Sequence, residues 1–418
     1  MILCGNKLID KIKEVIYSQH FLDKHKINSK FFTRRRKLEF ATVVATILKL
    51  AKKSLQLECE FLEPNVHKLP PSKQAFSKAR YKFSHTGFEE LLKISLQESF
   101  EQNPTLGQWK GYRFVGADGS SLRLPKSEEV ERYFGKFKCN GENTNNNPIL
   151  GRVSMFVDLC TGLILDARLK GWNVGEQSMA HEQLPLLTKE LRGYNQKNIC
   201  FIYDRGYVSK QFIKLHKDLM IDFIFRLPSK CYLRIWELVK AGETDFYFTI
   251  GDISTRVIVI TLPNSAKEVL VTSLNRECFS IVDIGKLYHL RWNLEENYKK
   301  LKINSEIENF CGFNLEAVLQ EFWAHLVMSN ILTTFILDHE APLNPDNLPK
   351  YKLNFSILLG ATRHKLKQFL LGECDGIEFI TLFNRVVKRA KQKVKYGRQF
   401  SRFHAGKPKH HHVFRRIC

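Results

Sequence analysis

The chain has no C-x-x-C pair, although ten cysteines are spread along its 418 residues. That spacing argues against a zinc ribbon and against a disulfide scaffold, and suits a reducing cytoplasm. No run of about 18 consecutive apolar residues occurs, which leaves no membrane span. The most apolar stretch, Val318 to Leu337, is interrupted by Gln320, Glu321 and His325. The opening MILCGNKLIDKIKEVIYSQ lacks the long apolar segment of a signal peptide. Acidic residues are scarce, 43 Asp and Glu against 65 Lys and Arg, and none follows Glu378. The resulting net charge of +22 favours nucleic acid as partner, or less often an anionic membrane surface. No internal repeat is present.

A hydrophobic content of 44% with 12% aromatics fits a globular protein with sizeable cores, and the length allows two or three domains. Residues 1–108 read as helical, with apolar-periodic runs at Leu8–Phe21, Leu38–Leu57 and Phe76–Phe100. Before the second run lies KFFTRRRK, Lys30 to Lys37. Its cations, Arg34, Arg35 and Arg36 among them, and its two phenylalanines suit contact with a phosphate backbone. From Gly111 the pattern turns to α/β. Tyr112–Ala117 reads as a strand ending at Asp118, before Gly119-Ser120-Ser121. A polar, asparagine-rich loop spans Cys139–Pro148. Leu150–Leu159 and Leu163–Leu169 read as a hairpin, followed by a helix from about Glu176 to Leu191. Ile199–Tyr203 is a continuous apolar run, as in a strand buried on both faces, and it ends at Asp204 in DRGY. Carboxylates at strand ends of an open α/β sheet point into the crevice where ligands bind. A strand-rich segment then runs to about Leu274, with FYFTI and TRVIVITL as its clearest strands.

Next comes YHLRWNLEENYKKLK, Tyr288 to Lys302. On one continuous helix, Tyr288, Arg291, Glu295 and Lys302 fall at ~0°, 300°, 340° and 320°, an arc only ~60° wide. Leu287, Leu290, Leu294, Tyr298 and Leu301 form an apolar stripe beside it. One acid among fixed cations is what a phosphate-handling site needs, the acid for a metal and the cations for phosphate oxygens. Asp158, Asp166, Glu296, Glu306 and Glu308 are rival carboxylates. Strand-end position favours Asp118 and Asp204, and Glu296, at ~80° on the same helix, points away from the arc.

The signature helix, the ADGSSLRLP block and DRGY together resemble the DDE transposases of bacterial insertion sequences, in particular the family called insertion sequence four with its Tyr-Arg-Glu-Lys signature. The resemblance runs from about Phe32 to Gly312. It implies a ribonuclease-H-like catalytic core at 109–338 with a β-rich insertion at about 228–276. A helical DNA-binding domain at 1–108 would precede the core, and a helical region with a basic tail at 339–418 would follow it. Asp118, Asp204 and Glu295 would be the catalytic, metal-holding triad. Tyr288, Arg291 and Lys302 would grip the phosphate at the DNA end, with Trp292 beside Arg291 free to stack on a base or to pack.

An all-oxygen ligand set favours Mg²⁺ or Mn²⁺, two ions per site. The implied activity is binding of terminal inverted repeats, strand cleavage and strand transfer into target DNA, by a homodimer, in a bacterial cytoplasm on the nucleoid. The alternatives are a structure-specific nuclease of the same fold and an inactive DNA-binding derivative. Hairpin-forming relatives carry a tryptophan near the end of the insertion, where this chain reads KEVLVTS. The tail adds a second basic segment. From Arg385 to Arg416 it holds 12 Lys and Arg, more than half the net charge, with Phe400, Phe403 and Phe414 interleaved. Such composition is typical of a poorly packed arm that neutralises phosphates.

Overall fold

The computed structural model describes residues 4–34, 36–50, 54–60, 62, 69–137, 147–263 and 265–394. Arg35, most of the asparagine-rich loop and the tail from residue 395 lie outside the described residues. In chain order the helices α1 (Cys4–Tyr17), α2 (Gln19–His25), α3 (Phe40–Lys49), α4 (Leu55–Glu60), α5 (Lys73–Arg80) and α6 (Thr86–Gln102) precede β1 (Arg113–Arg123). There follow α7 (Glu128–Phe134), β2 (Leu150–Asp158), β3 (Ile164–Gly171), α8 (Glu176–Gly193), β4 (Ile199–Tyr203), α9 (Lys210–Asp218) and β5 (Asp222–Arg226). Next are α10 (Leu233–Lys240), β6 (Asp245–Ile250), β7 (Ile253–Thr261), β8 (Lys267–Thr272), α11 (Ile281–Leu290) and α12 (Asn293–Lys299). The chain then runs through a π-helical turn (Lys300–Asn304), α13 (Leu315–Leu337), β9 (Tyr351–Leu353), α14 (Phe355–Leu370), α15 (Gly376–Ala390) and β10 (Lys391–Lys393).

Contacts group these elements into two compact units. One holds Leu92–Lys299 and Ala341–Leu348; the other holds the described residues of Met1–Leu91, Lys300–Glu340 and Pro349–Cys418. The first unit is built on one sheet in the order β3-β2-β1-β4-β5-β8-β7-β6. β1, β4 and β5 are parallel neighbours, while β2 and β3 run antiparallel at one side. With helices α8 and α9 in the connections, this is the ribonuclease-H-like α/β arrangement. The strands of the insertion do not form a separate body. β8 pairs antiparallel with β5, and β7 and β6 extend the same sheet.

A buried ion pair fixes the centre of this sheet. Arg113, at the start of β1, meets Asp158 at the end of β2, and both side chains are fully buried. Arg113 also donates through Nε to Gln196 Oε1 at 2.9 Å and through Nη2 to the Leu106 carbonyl at 2.9 Å. Asp158 Oδ1 accepts from the backbone N–H groups of Cys160 and Thr161, closing the hairpin turn. Every polar atom of the pair is thus engaged, which is the condition for burying charge.

The second unit is helical. α13 is buried along nearly its whole length, as its apolar sequence dictates. Its polar residues are spent on packing. Arg80 donates to Gln320 Oε1 at 3.0 Å, to Glu321 Oε1 at 3.0 Å and to the Ala317 carbonyl at 3.2 Å. The basic segment before α3 departs from its expected use in one respect. Phe32 packs edge-on against Phe40, so this ring belongs to the core, while Arg34 and Arg36 are exposed. The start of the segment expected to be a poorly packed arm is helical instead. Arg385, Lys388 and Arg389 lie in α15, whose Phe379, Phe383 and Val387 are buried at i, i+4 spacing. Among the described residues, no helix is long and apolar enough to cross a membrane.

Candidate active site

The site grows from the parallel pairing of β1 and β4. Their register runs Arg113↔Ile199 to Ala117↔Tyr203. Asp118 and Asp204 are the next residue on each chain, which brings their backbones to within about 5 Å, the spacing of neighbouring strands. Asp118 is not at a strand end, as the sequence had implied. β1 continues to Arg123, because β2 supplies partners from Asp118↔Met155 to Arg123↔Leu150 after β4 has stopped. Gly119-Ser120-Ser121, which resembles a turn, is therefore strand.

The helix facing this pair is broken where one continuous helix was expected. α11 ends at Leu290 and α12 starts at Asn293. Between them, the N–H groups of Arg291, Trp292, Leu294 and Glu295 bond three residues back, to Tyr288, His289, Arg291 and Trp292. That is the tighter 3₁₀ winding, which turns residues by about 120° instead of 100° and so displaces the arc drawn for a regular helix. Asn293 secures the break by donating to the Leu159 carbonyl at 3.2 Å. A second departure follows at the π-helical turn, where Ser305 N–H bonds the Lys300 carbonyl.

Two of the signature residues act on the aspartates, Tyr288 by a hydrogen bond and Arg291 through its charge. The Tyr288 hydroxyl donates to Asp204 Oδ1 at 3.4 Å. Arg291 is only 6% exposed, lies 5.6 Å from the Tyr288 ring centroid, and its Nε makes no hydrogen bond. Burial works against the Arg291 charge, but Tyr288, Asp204 and Asp118 outweigh it, so the guanidinium is held above its ordinary value. α12 lies on β1 through Leu294, which sits over Gly116, and Tyr298, whose hydroxyl donates to the Asp118 carbonyl at 2.8 Å. Glu295 is half-buried on this short helix, between those two anchors. Trp292 is 44% exposed, with the Arg291 guanidinium 5.7 Å from its ring centroid. Lys302 falls in the π-helical turn, within the helical unit, where burial lowers its pKa against the opposing charge of Glu308.

The electrostatics centre on Asp118. Its pKa is pushed up to about 6, first by burial, with Glu176 and Asp204 adding to the effect and the Gly119 N–H and Arg291 opposing it. Crowded carboxylates of this kind are relieved by a cation, and an all-oxygen donor set suits Mg²⁺ or Mn²⁺. Among the described residues, no three His, Cys, Asp or Glu side chains already converge as a metal site.

The profile of the transposase DDE domain family matches residues 109–331, more than half of the 418-residue chain. The chain belongs to that family. This DDE-domain chain is also similar, at low identity, to solved transposases. One is the piggyBac transposase synaptic complex with hairpin DNA, at 10% identity and TM-score 0.48, covering 91% of this chain and 85% of that one. Another is the Mos1 strand transfer complex, at 14% identity and TM-score 0.20, covering 51% of this chain and 67% of that one. No curated protein matches the sequence.

Within the DDE domain three of the rival carboxylates are engaged elsewhere. Asp158 is the partner of Arg113. Asp166 accepts from Arg168 at 2.7 Å and from Gln183 at 2.8 Å. Glu296 pairs with Lys299 at 2.6 Å. Other residues of the site were not anticipated from sequence. Tyr207 is 2% exposed, its hydroxyl makes no hydrogen bond, and it feels the charges of Asp118, Glu176 and Asp204. Glu268, on β8, faces Arg226 at 3.3 Å and lies in the field of Arg291 and Asp204. The tyrosine of DRGY was a usable signal, since a phenol three residues after a strand-end aspartate falls in the same loop. Glu176 and Glu268 carried none, because only non-local packing brings them here.

Proposed function

We propose that this transposase cuts and joins DNA at the ends of a mobile element of the insertion-sequence-four type, by metal-dependent cut-and-paste transposition. The observation that carries this reading is the adjacency of Asp118 and Asp204 at the end of the β1–β4 pairing, with the Tyr288 hydroxyl on Asp204 and the Arg291 charge in the field of both. Asp118, Asp204 and Glu295 would hold Mg²⁺ or Mn²⁺, which when bound polarises phosphoryl oxygens and makes water or a 3′-hydroxyl a better nucleophile. Arg291 takes a phosphate oxygen through its unpaired Nε, where it is held charged by the carboxylates around it. Tyr288 holds Asp204 in orientation. By the resemblance, Lys302 would add a point charge for a DNA phosphate, and Trp292 offers an exposed ring for a base.

The helical residues 1–108 would bind the terminal inverted repeats, with Arg34, Arg35 and Arg36 on the phosphate backbone, and residues 339–418 would add a basic region. Two ends must be cut in one complex, so the active form would be a homodimer on DNA. The test is incubation of the full chain with end-containing DNA duplexes and Mg²⁺. Cleaved and joined products are expected from the wild type, and neither from Asp118→Asn, Asp204→Asn or Glu295→Gln. Cleavage without joining would favour a nuclease, and cleavage by all three variants would refute the triad.

A further inference from the structure

Asp118 is approached from the other face of the sheet as well. Gly119 alternates with Asp118 along β1, and on its face lies Glu176, the first residue of α8. A Cβ built on Gly119 would meet the Glu176 carboxyl carbon at 2.1 Å, so the glycine is what admits this carboxylate. Glu176 Oε1 is held by Arg152 Nη1 at 2.5 Å. The Arg152 guanidinium is itself stacked 4.1 Å from the Trp172 ring centroid. Gln177, the next residue, donates to the Tyr207 carbonyl at 2.9 Å and to Ser209 Oγ at 2.8 Å, tying the start of α8 to the loop after Asp204. Buried atoms without a hydrogen bond around this site include the Tyr207 hydroxyl, Arg291 Nε and Arg152 Nε. Of these, Tyr207 and Arg291 are more than nine-tenths buried, and both lie in the field of the aspartates.

We propose that Glu176 is a further carboxylate of this site, a positioning residue whose charge, fixed by Arg152 against Gly119, raises the site's affinity for a divalent cation. This rests on the reading of Asp118 and Asp204 as metal-holding residues. A fixed negative charge about 6 Å from a dication, even at the dielectric of bulk water, is worth about a tenfold change in affinity.

The experiment is titration of the full-length chain with MnCl₂, following free Mn²⁺ by electron paramagnetic resonance, with no DNA and no turnover. Glu176→Gln keeps an oxygen for Arg152 and removes the charge. Glu176→Asp keeps the charge and weakens the reach to Arg152. The half-saturating Mn²⁺ concentration should rise about tenfold for Glu176→Gln and stay within about threefold for Glu176→Asp. A role confined to holding Arg152 gives the reverse order and overturns the proposal, as does an unchanged midpoint in Glu176→Gln. Should Glu176→Gln fail to fold by circular dichroism, Gly119→Ala displaces the same carboxylate and should show the same rise; an unchanged midpoint there overturns the proposal equally. Asp118→Asn separates the two readings. If it abolishes Mn²⁺ binding while Glu176→Gln leaves it unchanged, only the role of Glu176 falls. If the wild type binds no Mn²⁺, the metal-dependent reading falls and this one with it.

Discussion

Acid should loosen the catalytic sheet through His216 before it protonates most carboxylates. His216 lies on α9, fully buried beneath β4 and β5, among the rings of Phe212 at 4.8 Å, Phe225 at 5.4 Å and Phe223 at 5.6 Å. Its Nδ1 donates to the Phe212 carbonyl at 2.7 Å, so Nε2 is left to accept from the Tyr203 hydroxyl at 3.0 Å. Both ring nitrogens are satisfied only in the neutral form. Burial pushes the pKa down to about 3, against about 6.5 in an unfolded chain. Between these values the unfolded chain binds a proton that the folded chain refuses, so stability falls as pH drops below about 6.5 and the loss levels off near pH 3. Integrating the difference gives about 2 kcal/mol lost on going from pH 7 to pH 5, and about 3 kcal/mol by pH 4. Urea unfolding of the wild type and of His216→Gln at about pH 7 and pH 5 reads this directly. The wild type should lose about 2 kcal/mol more than the variant over that interval. Equal losses would mean that His216 is not held neutral, and that Tyr203, whose neighbour is Asp204, is anchored otherwise.

The other expectations concern single contacts. Arg113→Met leaves the Asp158 carboxylate buried without its partner and should cost about 3–5 kcal/mol in the same unfolding assay. Gly116→Val drives methyl groups into Leu159 and Leu294, which a Cβ already meets at 2.6 and 2.7 Å. It should cost about 1–3 kcal/mol of stability while depressing DNA-end cleavage far more, because Leu294 carries the helix of Glu295. His85 is half-buried, which opposes its proton, but its hydrogen bond to Glu316 and the charges of Glu316 and Glu89 outweigh this and raise its pKa. The stabilisation is complete below about pH 6.5 and is lost as pH rises through the raised value. Melting temperatures of the wild type should therefore decline above about pH 6.5 by more than those of His85→Gln.

Much of the sheet was legible because its strands are locally unambiguous. Ile199–Tyr203 is five apolar residues in a row, and it is β4. The hairpin of β2 and β3 followed from its alternation and Gly162. What depended on partners far along the chain was not legible. Whether β1 stops at Asp118 is decided by β2, and the attachment of the insertion by the pairing of β8 with β5. The signature residues were found by spacing, yet the spacing was drawn on an ideal helix. The real winding changes at Arg291, whose buried guanidinium lies in the field of the carboxylates, and Asn293 takes the Leu159 carbonyl. In α15 the charge count concealed a helix whose apolar i, i+4 pattern was present all along.

The two glycines flanking Asp118 follow from its position between two helices. Gly116 and Gly119 stand three residues apart on β1 and therefore open to opposite faces of the sheet. On one face Gly116 admits Leu294, so that α12 lies close enough for Tyr298 to bond the Asp118 carbonyl. On the other face Gly119 admits Glu176. A side chain at either position would hold one helix off by at least the width of a methyl group, and the carboxylates of Glu295 and Glu176 are carried by those helices. Asp118 itself is fixed by neither contact but by the ladder to β2 and by the Gly119 N–H on its Oδ1, at 2.9 Å. The strand thus sets the aspartate, while the absence of side chains on both sides of it sets how near the other acids come. Substitution at the glycines should alter the second without the first.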